Sequence, residues 1–239
     1  MPYKPFLSHT LNLLLLFGLV PIVPVYAQSD GGVRDFQVWN ETTLIFPLRK
    51  TADADGKSST RVSLLLMGTL RLGQNRLFPI ERRIGTGINF RLNKYFSVMP
   101  SYYFRNAEPR RGRKESEHRV RFEVNIENKW KTFSLKDRHR FEYRIRHSSD
   151  DSVRYRNRLT LKVPVKIGGK EVFAPFVSDE IFYDLKKSQL FRNEISAGIS
   201  KKLSDSLEAE FFYLRQDNRT GNIPKTINAV GVNLKIELD

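Results

Sequence analysis

The sequence predicts an all-β fold, an up-and-down antiparallel transmembrane β-barrel of about twelve strands. Three observations carry that expectation: a hydrophobic period of two along nearly the whole chain, short turns alternating with longer polar stretches, and an N-terminal segment built like a secretory signal.

The N-terminal segment has Lys4, an apolar run over 11–20, then Pro21, Pro24 and the small-residue site Val25-Tyr26-Ala27. It reads as a signal peptide, residues 1–27, cleaved after Ala27. The prolines leave fewer apolar residues than the roughly 20 that a spanning helix needs. Residues 28–239 then form one barrel domain, and any membrane crossing is made by strands.

The alternation is clearest in three consecutive runs. Val120, Phe122, Val124 and Ile126 alternate with Arg119, Arg121, Glu123 and Asn125. Phe141, Tyr143 and Ile145 alternate with Arg138, Arg140, Glu142, Arg144 and Arg146. A run over 155–167 carries Leu159, Leu161, Val163, Val165 and Ile167 against Arg154, Arg156, Arg158, Thr160 and Lys162. Such alternation gives each strand one apolar and one polar face. Weaker versions occupy 35–48, 61–72, 75–92, 95–105, 171–184, 190–201, 206–216 and 226–238.

These runs number about eleven, whereas bacterial single-chain barrels have an even number of strands. Twelve follows if two strands are merged within 35–92, and ten if 35–48 is not an ordinary stave. Asn93-Lys94, 128–131, Gly168-Gly169-Lys170 and Ser204-Asp205 mark short turns. The stretches 105–117, 147–152, 185–189 and 217–225 read as longer loops at the opposite, exterior end. Trp39, Phe46, Phe90, Tyr95, Tyr103, Phe104, Trp130, Phe133, Phe182, Tyr183, Phe211 and Tyr213 lie near run ends, where interfacial girdles are expected.

Composition narrows function by exclusion. With no cysteine in 239 residues there is no disulfide framework, thiolate nucleophile or cysteine-based metal site. The formal charge of +15 invites a nucleic-acid reading. Arginines and aromatics alternate onto opposite strand faces, however, while a single-strand binder needs both on one surface. No histidine pair has metal-ligand spacing, and neither a cofactor nor a nucleic-acid partner is expected.

The run over 138–184 contains RFEYR at 140–144, RYRNRLTL at 154–161 and PFVSDEIFYD at 175–184, and DFQVWNETTL at 35–44 and EFFYLRQ at 210–216 flank it. In these motifs and their order the chain resembles the DUF2490 family of bacterial proteins, read as outer-membrane β-barrels. The resemblance implies a location in the outer membrane of a diderm bacterium; outer-membrane lipid, lipopolysaccharide and the barrel-assembly machinery are the partners expected there. It transfers no catalytic residue. Many such barrels end in an aromatic residue recognised during assembly, and this chain ends Ile236-Glu237-Leu238-Asp239.

An Arg at the bilayer midplane on the lipid face costs about 2–4 kcal/mol, so the arginines of the best strands are expected to point inward. Arg119, Arg121, Arg138, Arg140, Arg144, Arg146, Arg154, Arg156 and Arg158 then line the lumen, with Glu123, Glu127, Glu142, Glu208 and Glu210 as inward partners. The phase is less clear for Asp179, Glu180 and Glu194. Two readings follow: a narrow anion-preferring pore, or an interior held shut by ion-pair ladders with a purely structural role. Arg110, Arg111, Arg113 and Lys114 form an exterior basic cluster suited to anionic headgroups or simply to solvent.

A different class of function rests on His147 with Ser148, Ser149, Asp150 and Asp151, a candidate for a surface lipid hydrolase. Adjacency in sequence does not place a nucleophile against its base, and a solvated turn explains the same residues. A secreted soluble β protein is the third reading.

Overall fold

The computed structural model describes residues 33–52, 58–74, 77–147, 149–219 and 225–238. The expected signal peptide and Ser148 lie outside them. Twelve strands follow in chain order: β1 (Val33–Ala52), β2 (Ser58–Gly73), β3 (Phe78–Arg91), β4 (Phe96–Arg110), β5 (Arg113–Lys129), β6 (Ser134–Arg146), β7 (Ser152–Lys162), β8 (Val165–Ile167), β9 (Lys170–Asp184), β10 (Gln189–Lys202), β11 (Leu207–Asn218) and β12 (Lys225–Glu237).

Eleven of them close a ring. Neighbours from β1 to β7 pair in sequence order, β7 pairs with β9, and β9 to β12 continue the meander. β12 then returns to β1. Every neighbouring pair in the ring is antiparallel except the last: β1 and β12 run parallel from Val33↔Lys225 to Ile45↔Glu237. An odd number of alternating strands leaves the first and last pointing the same way, so closure demands a parallel seam. The expectation of an even number assumed an antiparallel one.

The twelfth strand, β8, stands outside the ring and pairs only with β9. The sequence reads 155–167 as one run, but β7 ends at Lys162 and Pro164 follows. Proline has no N–H for a ladder and separates the two strands. Gly168 and Gly169, with φ of +58° and +80°, then reverse the chain into β9.

Side chains sort by phase in this single layer. Ile84, Val120, Phe122, Phe141, Tyr143, Ile145, Ile195, Ile199 and Phe211 are exposed, while Arg119, Arg121, Glu123, Arg140, Glu142 and Arg156 are buried. This inverts a water-soluble globule. Eleven strands about 4.8 Å apart with a tilt near 40° give a backbone diameter of about 22 Å, narrow enough for inward side chains to meet. Inward glycines make room for rings. A Cβ on Gly85 meets the Tyr103 ring at 2.6 Å, and one on Gly231 runs into Phe212 Cζ. Phe212 packs there against Trp39, Leu214, Ile227 and Ala229, the apolar cluster of the lumen.

Two further expectations need correction. The stretch 105–117 is not a long loop: β4 and β5 run through it and turn at Arg111-Gly112, with Gly112 at φ +80°. A charge-rich hairpin tip resembles a loop in sequence because both its faces are wet. Turns are also more equal than expected, since 74–77 and 185–188 match 92–95, 130–133 and 203–206 at the other end. Among the aromatics, Trp39, Tyr103 and Phe182 are buried inside and belong to no girdle, whereas Phe90, Tyr95, Phe211 and Tyr213 are exposed.

Candidate functional site

The lumen is the site, and strand register builds it. Across β5, β6 and β7 the ladder sets Arg121 opposite Glu142 and Glu123 opposite Arg140. It also sets Glu142 opposite Arg154 and Arg140 opposite Arg156. Cross-strand pairs on one face lie within reach of long side chains, so the Arg–Glu pairs neutralise along the barrel wall, while the like-charged Arg140 and Arg156 share Glu142.

Most of the buried carboxylates serve several guanidiniums. Glu142, fully buried, accepts from Arg156 Nη1 at 3.0 Å and lies 3.1 Å from Arg121 Nε, 3.7 Å from Arg140 Nη1 and 3.8 Å from Arg154 Nη1. Glu180 on β9 accepts from Arg138 at 2.9 Å and from Arg156 at 2.8 Å, and also binds Arg158. Glu117 binds Arg119 and Arg144, and Glu81 binds Arg83, Arg105 and Arg71. Glu123 sits 3.0 Å from Arg140 Nε. Aromatic rings take up part of the remaining positive charge: Arg71 lies 3.5 Å over Trp39, Arg121 3.7 Å over Tyr103 and Arg156 4.2 Å over Phe182.

Beside this packed region lies a cavity of about 700 Å³. Trp130, Lys131, Phe133, Pro164, Lys166 and Lys202 line it at one mouth, the end that carries the turns 92–95, 130–133 and 203–206. Fourteen basic side chains line it against six glutamates. Toward the other end the barrel is filled by Glu81, Glu117, Phe182, Phe191 and Gln216, all buried.

The residues singled out from sequence divide between these regions. Arg121, Arg138, Arg140, Arg156, Arg158, Glu127, Glu208 and Glu210 line the cavity. There Lys162 Nζ sits 3.3 Å from Glu208 and 3.2 Å from Glu210. Arg119, Glu123, Glu142, Arg144 and Arg154 belong to the packed part, and Arg146 is half-buried at its end. Glu180 and Glu194 point inward and are buried, whereas Asp179 is exposed on the outer face, where it accepts from Asn193 Nδ2 at 2.5 Å. Arg111, Arg113 and Lys114 are exposed at the β4–β5 tip, and Arg110 closes β4.

His147 is exposed in the β6–β7 turn. Asp151 there accepts from the Arg146 backbone N–H at 3.1 Å and from Tyr143 Oη at 3.0 Å, and Asp150 pairs with Lys186 at 3.4 Å. Asp151 therefore holds the hairpin end, and Asp150 reaches across to the β9–β10 turn. Of the two serines in that candidate cluster, Ser149 is exposed and Ser148 lies outside the described residues.

Sequence reasoning missed Arg71, Glu81, Arg83, Arg105, Arg192 and the role of Glu117. In β3 the inward phase reads Glu81, Arg83, Gly85, Gly87, and exposed Arg82 beside Arg83 hides the alternation. It also missed a polar cluster on the outer wall. His139 Nδ1 and Tyr155 Oη share a hydrogen bond of 2.7 Å, His139 Nε2 lies 3.2 Å from Asp137, and Asn157 donates to Asp137 at 2.5 Å. Asp137 and His139 share the phase of Phe141 and Tyr143, which marks them.

The chain matches a protein family described as a protein of unknown function, DUF2490, over residues 36–226. No curated protein matches it. Among solved structures, the NanC porin in a rhombohedral crystal form is similar at 7% identity with a TM-score of 0.48, over 85% of this chain and 99% of that one.

Proposed function

The chain belongs to the DUF2490 family, and from that premise we propose that it is an outer-membrane β-barrel with an anion-attracting vestibule. The vestibule is open at one mouth and shut at the other by arginine–glutamate packing. The observation that carries this reading is the inversion of the two faces, with Phe122, Phe141 and Tyr143 outside and Arg121, Arg140 and Glu142 inside. Hydrocarbon is the solvent in which such an exterior is stable, and a closed ring leaves no strand edge unpaired within it.

Basic side chains, arginine and lysine together, outnumber glutamates fourteen to six along the cavity, and a water-filled cavity with that imbalance concentrates anions. The packed end limits steady conduction. The exposed tip with Arg111, Arg113 and Lys114 suits anionic lipopolysaccharide headgroups at the exterior. Reconstitution in planar bilayers tests the proposal: the expected result is small currents that prefer anions. A large, cation-preferring conductance contradicts it, as does extraction from membranes without detergent.

A further inference from the structure

Several donors on cavity-lining residues lack hydrogen-bond partners among the described residues, and those of Thr69, Arg83 and Arg121 lie on one wall. Thr69 on β2 and Arg83 on β3 are direct cross-strand neighbours, and both line the cavity together with Arg121 from β5. Thr69 Oγ1, Arg83 Nε and Arg121 Nη2 are buried without a hydrogen-bond partner among the described residues. Thr69 is 8% exposed and Arg121 3%. An orphaned buried donor is destabilising, more so when it is charged, so three on one wall ask for an acceptor.

Tyr103 brings the third donor to the other two. Because Gly85 has no side chain, the Tyr103 ring lies against β3, and its hydroxyl reaches Met67 Sδ, two residues from Thr69, at 2.5 Å. Arg121 stacks on that ring at 3.7 Å and is thereby carried toward β2 and β3. The carboxylates at hand are already shared: Glu81 among Arg71, Arg83 and Arg105, and Glu142 among Arg121, Arg140, Arg154 and Arg156.

We propose that Thr69, Arg83 and Arg121 form a binding site for a small tetrahedral oxyanion of the phosphate class at the inner wall of the vestibule. Two guanidiniums and a hydroxyl from three strands supply charged and neutral donors together, which suits an oxyanion with several acceptor oxygens. The basic mouth, with Lys131, Lys166 and Lys202, draws the anion in. The site rests on the reading of the lumen as anion-attracting.

The chain supplies its own reporter. Its two tryptophans, Trp39 and Trp130, both line the cavity, and Trp39 lies under Arg71, two residues from Thr69. The full-length barrel carrying Trp130→Phe, in detergent micelles, is titrated with inorganic phosphate at an ionic strength held constant with chloride. Trp39 emission is expected to change saturably. Thr69→Val, which keeps the shape of the wall, and Arg83→Gln are each expected to raise the half-saturating concentration about tenfold, the scale of a lost hydrogen bond to a charged group. A response that never saturates, or Thr69→Val binding as tightly as its parent, overturns the site. Anion-preferring currents alongside either result remove the site alone, whereas cation-preferring currents remove the vestibule with it.

Discussion

Glu180 on β9 and Glu194 on β10 sit directly opposite one another in the ladder, both buried, at 1% and 3% exposure. Two carboxylates face to face are destabilising on their own. They coexist because Arg158 binds Glu180 and lies 3.9 Å from Glu194, while Arg138 and Arg156 add to Glu180 and Arg192 lies 3.7 Å from Glu194. The guanidinium excess of the lumen is therefore structural as well as electrostatic.

Removing the Glu180 charge leaves Arg138, Arg156 and Arg158 facing one another without their shared partner. Glu180→Gln is expected to destabilise the barrel by about 3–5 kcal/mol, the range for breaking a buried ion pair from one side. The neighbouring Asp179→Asn, on the exposed outer face, is expected to change it by about 1 kcal/mol or less. Urea unfolding from liposomes measures both, and equal effects contradict the inward placement of Glu180.

The parallel seam makes a covalent prediction. Val38 and Val230 are register partners across β1 and β12, and neighbouring strands lie within the Cα separation of about 4.4–6.8 Å that a disulfide accepts. In a chain with no native cysteine, the double variant Val38→Cys, Val230→Cys is expected to cross-link on oxidation and to migrate as a circular species on denaturing gels. Failure to cross-link, with Val38→Cys, Leu72→Cys joining readily across β1 and β2, points to a ring closed otherwise.

The outer-wall cluster predicts non-additivity. His139→Leu leaves Asp137 without its imidazole on an apolar wall, and the loss is expected to be larger than that of Asp137→Leu, His139→Leu together. Unfolding free energies of the two single variants and the double form the cycle. Additive values contradict a coupled pair.

Much of the architecture is visible in the order of residues because a strand has only two faces. Val120, Phe122, Phe141 and Tyr143 announce the outer wall, and Arg119, Arg121, Arg140 and Glu142 the inner one. What escapes is what period two does not encode. The pairing of Trp39 with Gly231 joins segments at opposite ends of the chain, and no local pattern shows that it runs parallel. Trp39, Tyr103 and Phe182 look like interfacial aromatics, but lie inside, with Arg71, Arg121 and Arg156 over their rings. Thr69 and Arg83 become a site only once β2 and β3 are in register and Tyr103 carries Arg121 to them.

The sharpest test of the central claim uses single cysteines, introduced one at a time at 119–122 and 140–143 and labelled with an environment-sensitive fluorophore in reconstituted bilayers. Brominated lipid is expected to quench the labels at Val120→Cys, Phe122→Cys, Phe141→Cys and Tyr143→Cys, and to leave those at Arg119→Cys, Arg121→Cys, Arg140→Cys and Glu142→Cys unaffected. Quenching with the opposite phase, or with no alternation along the strands, contradicts a barrel that faces lipid with its apolar side and keeps its arginines within.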